Sequence, residues 1–354
     1  MNWLSMHNLS RLKRFFRGAD TGQDGHGQTF GSKSVVFSVL GVFIALLLLG
    51  WYWSCEPKQF AVADIYKNDV PVVTGTTTTA TLIEVVDTLL NKPGGYLAND
   101  MLPPGIWLDN LPNWEFGVLV QVRDLSKAMR EAYSRSQSQS IENADLALAE
   151  PRFNVDHKSW AVPWPESEYG DGRDYLNAYL QGLIGNVEDG GMGNAQFYAR
   201  ADNLRYWLGT VEKRLGSLSH RLSASVGQRR INTDLSGDIA ATQSRAAPSE
   251  LIVKTSWYKI DDIFYEARGT CWALLHFLRA VEVDFAEVLA RKNALVSVQQ
   301  IIRELEMTQQ PMRSPIIANG KGFGLIANHS LVMASYISRA NAAIIDLREL
   351  LSKG

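Results

Sequence analysis

Between Ser34 and Cys55 the chain carries no charged residue. That run begins at Val35-Val36-Phe37, passes through Leu46-Leu47-Leu48-Leu49 and closes on Trp51-Tyr52-Trp53. At 1.5 Å per residue, about 20 residues cover the ~30 Å hydrocarbon layer of a bilayer. Lipid offers a backbone amide no partner, so a spanning run must be helical. Trp51, Tyr52 and Trp53 stand at one end, where amphipathic rings settle at the headgroup level. The reading is a single transmembrane helix over 34–54.

Charge orients it. Residues 1–33 hold five bases (Arg11, Lys13, Arg14, Arg17, Lys33) against Asp20 and Asp24, a net of +3. The whole chain has 35 bases and 37 acids, so the remainder carries 30 and 35, a net of −5. The positive-inside rule makes 1–33 a cytoplasmic basic tail and puts everything after the helix across the membrane. A cleaved signal peptide is the rival, since Ala61-Val62-Ala63 matches a small-x-small cleavage pattern. The apolar run is long for a signal peptide, and Glu56-Pro57-Lys58 separates it from that site. Bulky Tyr52-Trp53 before Ser54-Cys55 argues against a lipid on Cys55. The stretch Arg11–Arg17, with Leu12, Phe15 and Phe16, could also lie on the inner leaflet.

Beyond the helix, 55–75 reads as an extended stalk, because Pro57 and Pro71 oppose helix and the Thr74–Thr79 run is β-prone. A short helix is expected over about 80–91, ended by Lys92-Pro93-Gly94-Gly95. Three longer segments alternate gaps of three and four between apolar residues: Phe197 to Leu222, Ile260 to Val288, and Ile326 to Leu350 through His329, Met333, Tyr336, Ala340, Ala343 and Leu347. A shorter series runs Val118, Val122, Leu125, Met129, Ala132. A 3.5-residue repeat keeps one stripe facing a partner helix. The second segment continues through Leu295, Val298, Ile302 and Leu305 with a one-residue shift; unbroken, 257–308 would be ~75 Å long. The fold class is therefore mainly α: a transmembrane helix, then an elongated antiparallel helical bundle of long heptad-patterned helices over 76–354. Residues 92–114 and 151–172 read as aromatic, proline-rich loops, and 226–250 as a flexible polar connection.

Two motifs resemble a bacterial envelope family catalogued as domain of unknown function 2333. One is Asn91-Lys92-Pro93-Gly94-Gly95-Tyr96-Leu97-Ala98-Asn99-Asp100, continuing through Pro103-Pro104-Gly105 to Asn113-Trp114-Glu115. The other is Asp261-Asp262-Ile263-Phe264-Tyr265-Glu266-Ala267-Arg268-Gly269. The resemblance implies a proteobacterial inner-membrane setting, and in a Gram-negative cell the charge rule then puts the C-terminal domain in the periplasm. It brings no activity, cofactor or catalytic residue.

Motifs that carry chemistry are few. The histidines after the helix, His157, His220, His276 and His329, include no i, i+4 zinc pair. His329 falls on a seam and reads as a packed histidine; His220 and His276 read as ordinary helix residues. Asp171-Gly172-Arg173-Asp174 and Glu188-Asp189-Gly190-Gly191 lack the order of a calcium loop and read as a helix cap and a turn. Ser256-Trp257-Tyr258-Lys259 matches Ser-x-x-Lys, but the accompanying Lys-Thr-Gly is missing. Cys271, on an apolar seam, should be a protonated, inert thiol. Cys55 could form an intermolecular disulfide. Asn319-Gly320-Lys321-Gly322-Phe323-Gly324 precedes a helix but lacks phosphate-loop spacing. No metal, cofactor or nucleic-acid partner is expected.

The best candidate surface is aromatic: Trp107, Trp114, Trp160, Trp164 and Tyr169, interleaved with Asp109, Glu115, Glu166 and Glu168. Flat rings beside carboxylates suit sugar faces and hydroxyls, and a carboxylate pair can hydrolyse a glycoside. The opposing expectation is that these rings plug the end of the bundle and the acids cap helices. The leading expectation is a non-catalytic, membrane-tethered protein that binds an envelope protein or peptidoglycan. A glycan-cleaving enzyme and a small-molecule sensor are the alternatives. The seams can be satisfied within one chain or between chains, so a homo-oligomer stays open.

Overall fold

The uncharged run forms helix α1, Ser32–Trp53. It is the one stretch among the described residues long and apolar enough to cross a membrane, a property that signal sequences share. The computed structural model describes residues 32–63, 73–137, 139–188, 195–231, 250–312, 314, 316–321 and 324–353. The basic tail up to residue 31, stalk residues 64–72, residues 232–249 of the polar connection, the turn at 189–191 and Gly322-Phe323 lie outside them. The chain divides into two units, one ending at Leu46 and one running from Leu47 to the C-terminus.

The second unit is mainly helical. After α1 the order is α2 (Thr76–Asn91), α3 (Asn110–Ala128), α4 (Ala144–Phe153), α5 (Pro165–Glu188), α6 (Ala201–Ser223), β1 (Gln228–Ile231), β2 (Glu250–Val253), α7 (Ile260–Asp284), α8 (Ala286–Arg291), α9 (Leu295–Thr308) and α10 (His329–Ser352). A π-helical turn, Met129–Tyr133, extends α3. Helix α7 packs against α2, α3, α6, α9 and α10, and most of its length is buried on every side.

The close crossing of α3 and α7 depends on two glycines. A Cβ on Gly117 would meet the carbonyl of Glu266, and one on Gly269 would meet the carbonyl of Trp114. With no side chain at either position, the two backbones come close enough for Trp114 and Trp272 to pack at 5.2 Å between ring centroids.

Several expectations change. Helix α2 begins at Thr76, so Thr76 to Thr79 are helical and buried, not extended. The cause is tertiary: the Asp284 carboxylate at the end of α7 accepts from the Thr78 N–H at 2.6 Å and its hydroxyl at 2.7 Å. It thereby satisfies donors that a helix N-terminus leaves open. The proline-rich loops are shorter than expected. Pro112 falls in the first turn of α3 and Pro165 opens α5, positions where the missing N–H costs nothing. Asp171 to Asp174 lie inside α5, not at a cap; there Arg173 bonds Asp87 at 2.9 Å.

The segment 257–308 is not one rod. The chain leaves α7 at Phe285 and turns at Asn293, which has φ 50. Helix α9 then returns antiparallel to α7, with Gln299 bonded to Glu282 and Arg279 to Glu306. The one-residue shift in the pattern was the turn itself. In α10 the buried stripe is Ser330, Met333, Ile337, Ala340, Ile344, Leu347 and Leu351. It shares Met333, Ala340 and Leu347 with the expected series; Ile326 is exposed, and Tyr336, Ala343 and Leu350 are only half-buried. Both series have 3–4 gaps, so spacing alone could not choose between them. The ends of the polar connection pair as the antiparallel ribbon β1–β2, Gln228 opposite Val253.

The α3–α7 crossing yields a test. Gly117→Ala gains about 1 kcal/mol of helix propensity. It should still lower stability of the detergent-solubilised full chain, by about 1–3 kcal/mol, because the obstacle is backbone. Thermal unfolding measures it.

Candidate functional site

The first resembling motif builds a turn that grips the end of α1. Gly94 and Gly95 adopt φ 88 and 72, a left-handed conformation that favours glycine. A Cβ on Gly94 would lie 2.8 Å from the Trp53 ring. Gly50, one turn earlier, faces Pro104 and Leu108. Below the turn, Glu115 of α3 is fully buried and ion-paired with the buried Lys92. Its carboxylate also accepts from the Leu97 N–H at 2.9 Å and the Ala98 N–H at 2.8 Å. Burial pushes its pKa up, against the pull of Lys92 and the two amides. Asn99 donates to the Ser159 carbonyl and to both Glu166 oxygens at 3.1 Å, tying the 92–109 loop to the 154–164 loop.

The expected aromatic surface thus separates in two. Trp114, Glu115 and Tyr169 belong to the core, with Tyr169 edge-on to Tyr96 at 5.5 Å. Trp107, Asp109, Trp160, Trp164 and Glu166 are exposed on the joined loops and the start of α5. Glu168 bonds Arg152 at 2.5 Å. Glu166 and Glu168 occupy the first turn of α5, where the helix dipole favours negative charge.

The second motif meets the connection leaving α1. Arg268 is buried in α7; its Nε and Nη2 donate to Glu56 at 2.8 and 2.5 Å, and its Nη1 to the carbonyls of Thr308 and Gln310 at 3.0 Å. Two turns on, His276 is enclosed. Its Nδ1 pairs with the Trp272 carbonyl at 2.7 Å, its Nε2 accepts from the Phe60 N–H at 3.2 Å, and its ring stacks on Phe60 at 4.0 Å. These partners assign the neutral imidazole, and burial lowers its pKa to about 4. The expectation of an ordinary helix histidine does not hold for His276. His329, expected in the core, is half-buried at the start of α10, its Nδ1 accepting from Ala318 N–H at 2.9 Å. Asn328 caps α10 through the Leu331 N–H, filling the place an anion would take. Burial pushes the Cys271 thiol up to about 12.

Beside Arg268, helices α7, α9 and α10 border a cleft of about 690 Å³ lined by Phe264, Met307, Met312, His329, Met333 and Tyr336. The volume suits a small molecule. Arg268, however, already spends its donors on Glu56 and two carbonyls. No group of three or more His, Cys, Asp or Glu placed to hold a metal occurs among the described residues.

The sequence search missed Glu56, Phe60, Arg268 and His276 as a set. Its available signal was a basic residue one step off the apolar seam of α7, far along the chain from its acid.

Glu115→Gln leaves Lys92 buried without its counter-charge and should cost about 3 kcal/mol in chemical denaturation. His276 makes stability depend on pH. Its folded pKa is about 4 against an ordinary 6.5, so in that interval only the unfolded chain binds the proton. Stability is lost as pH falls through it, by about 3 kcal/mol. Glu115 and Asp284, whose pKa values burial raises, slope the other way. The difference between parent and His276→Gln removes their contribution and should be steepest between pH 6.5 and 4.

No curated protein and no solved structure matches the sequence. A family profile matches residues 26–354, spanning both motifs and everything described above. The chain belongs to the DUF2333 family, described as an uncharacterized protein conserved in bacteria.

Proposed function

We propose that this is an uncleaved, single-pass inner-membrane protein whose helical domain stands in the periplasm and binds another envelope component without catalysis. One observation carries the reading. Residues on the candidate leader side of Ala61-Val62-Ala63 complete the domain: Glu56 neutralises Arg268, and Phe60 covers His276. Cleavage after Ala63 would strip both and leave a buried guanidinium without its carboxylate. Trp53 against Gly94 supports the same conclusion. The basic tail supports a cytoplasmic N-terminus. The stripes along α6, α7 and α10 support a bundle packed by heptad-like seams, within one chain or between copies.

The placement of the carboxylates supports a binding role over glycan cleavage. Glu115 is buried against Lys92, and Glu168 is held by Arg152. Glycan cleavage needs two carboxyls flanking one bond, and Glu166 is left with Asp109 as exposed candidates.

Protein recovered from native membranes should retain Ser34 to Ala63 by mass spectrometry, and removing residues through Ala63 should cost about 3–5 kcal/mol of stability. Crosslinking in intact cells should recover an envelope protein or peptidoglycan with the chain. A mature chain beginning at Asp64 would overturn the anchor. Muropeptide release by the purified chain, abolished in Glu166→Gln, would overturn the non-catalytic role.

A further inference from the structure

The exposed side chains of the joined loops are unusually apolar. Leu102 is 76% exposed, Trp160 68% and Trp164 59%, with Ile106, Trp107 and Val162 also open. Large exposed apolar side chains gathered on two loops that are bonded together mark a candidate interaction surface. The place of this patch identifies what it meets. Pro104 and Leu108, within and just after the first loop, lie against Gly50 in the last turns of α1. Asn99 fastens the second loop to the first.

The N-terminal end of α7 belongs to the same face. Asn113 bridges the Asp109 carbonyl and the Asp262 carboxylate at 2.9 and 2.8 Å. The connection leaving α1 meets Arg268 through Glu56 and then His276 through Phe60, so it travels toward the C-terminal end of α7. The opposite end, linked through Asn113 to Asp109, carries Trp257, 82% exposed, and the exposed Tyr258.

We propose that the 99–107 and 159–164 loops and the Trp257-Tyr258 turn insert into the headgroup layer of the bilayer that α1 crosses. This rests on the anchor reading above. Tryptophan and tyrosine favour that layer, where one edge of the ring is apolar and the other wet. Charge does not drive the insertion. Around Asp262 the acids Asp109 and Asp261 stand against Lys158 and Lys259, so the face is not a basic patch seeking anionic lipid. Pro104 and Leu108 bring the first loop to Gly50, one turn before the aromatic end of α1. The domain is thereby held against the membrane on several supports instead of swinging from one helix.

The full chain, with Cys55→Ser and a single new cysteine at Trp160→Cys or Trp164→Cys, is labelled with a polarity-sensitive fluorophore in phospholipid vesicles. Glu287→Cys, exposed beyond the far end of α7, is the control. Labels at 160 and 164 should emit to the blue of the control, lose intensity to a lipid nitroxide near the headgroups and resist aqueous iodide. Zwitterionic vesicles and vesicles with added phosphatidylglycerol should give the same result. An alkaline carbonate wash is run in parallel. Release by the wash overturns the anchor and this proposal with it. Retention with labels at 160 and 164 as iodide-accessible as at 287 overturns the insertion alone. Protection in native membranes but not in purified vesicles would assign the patch to a protein partner, and a shift only on adding muropeptides would assign it to glycan; either overturns the lipid proposal.

Discussion

Helix α7 is enclosed on every side from Ala267 to Leu278, and the ionisable groups it buries, Arg268 and His276, need partners inside the protein. That requirement organises the second unit. Arg268 takes a carboxylate from the connection after α1 and two carbonyls from the end of α9. His276 takes a carbonyl from its own helix and an amide from Phe60. Asp284 takes the first turn of α2. A buried charge without such partners costs several kcal/mol. Segments far apart in sequence are therefore bound to one helix by polar geometry as much as by apolar area.

The same logic explains the two motifs. In Lys92 to Asp100, the lysine balances Glu115, Gly94 makes room for Trp53, two amides donate to the carboxylate, and Asn99 reaches the next loop. In Asp261 to Gly269, Asp262 meets Asn113, Arg268 meets Glu56, and Gly269 admits the backbone of α3. None of these roles is chemistry on a substrate. They join the last turn of α1, the loops beside it and the central helix into one packed structure.

Helical content was legible because amphipathic spacing is a local property. The buried stripe of α6, Leu204, Leu208, Val211, Leu215, Leu218 and Leu222, is the one that the periodicity picks out. In α10 the same kind of spacing admitted two faces, and packing against α6 and α9 selected one. At Asn293 a phase slip concealed a reversal, since a turn of three residues and a seam that drifts by one look alike in a string of letters. Among the aromatics, composition could not separate Trp114 from Trp164. One sits within the first turns of a helix facing α7, and the other ends a loop.

Taken alone, the chain of letters determined an apolar segment long enough for a bilayer, a helical domain after it, and the family motifs, because each depends on neighbours within a few residues. Tertiary structure decided which charges are buried and answered, that Thr76 to Thr79 would be helical, and that Trp114 would be buried while Trp160 and Trp164 stay exposed. These are outcomes of contacts between residues more than a hundred positions apart, such as Glu56 with Arg268 and Thr78 with Asp284. No local pattern encodes them, since burial and hydrogen-bond satisfaction exist only once the segments have met.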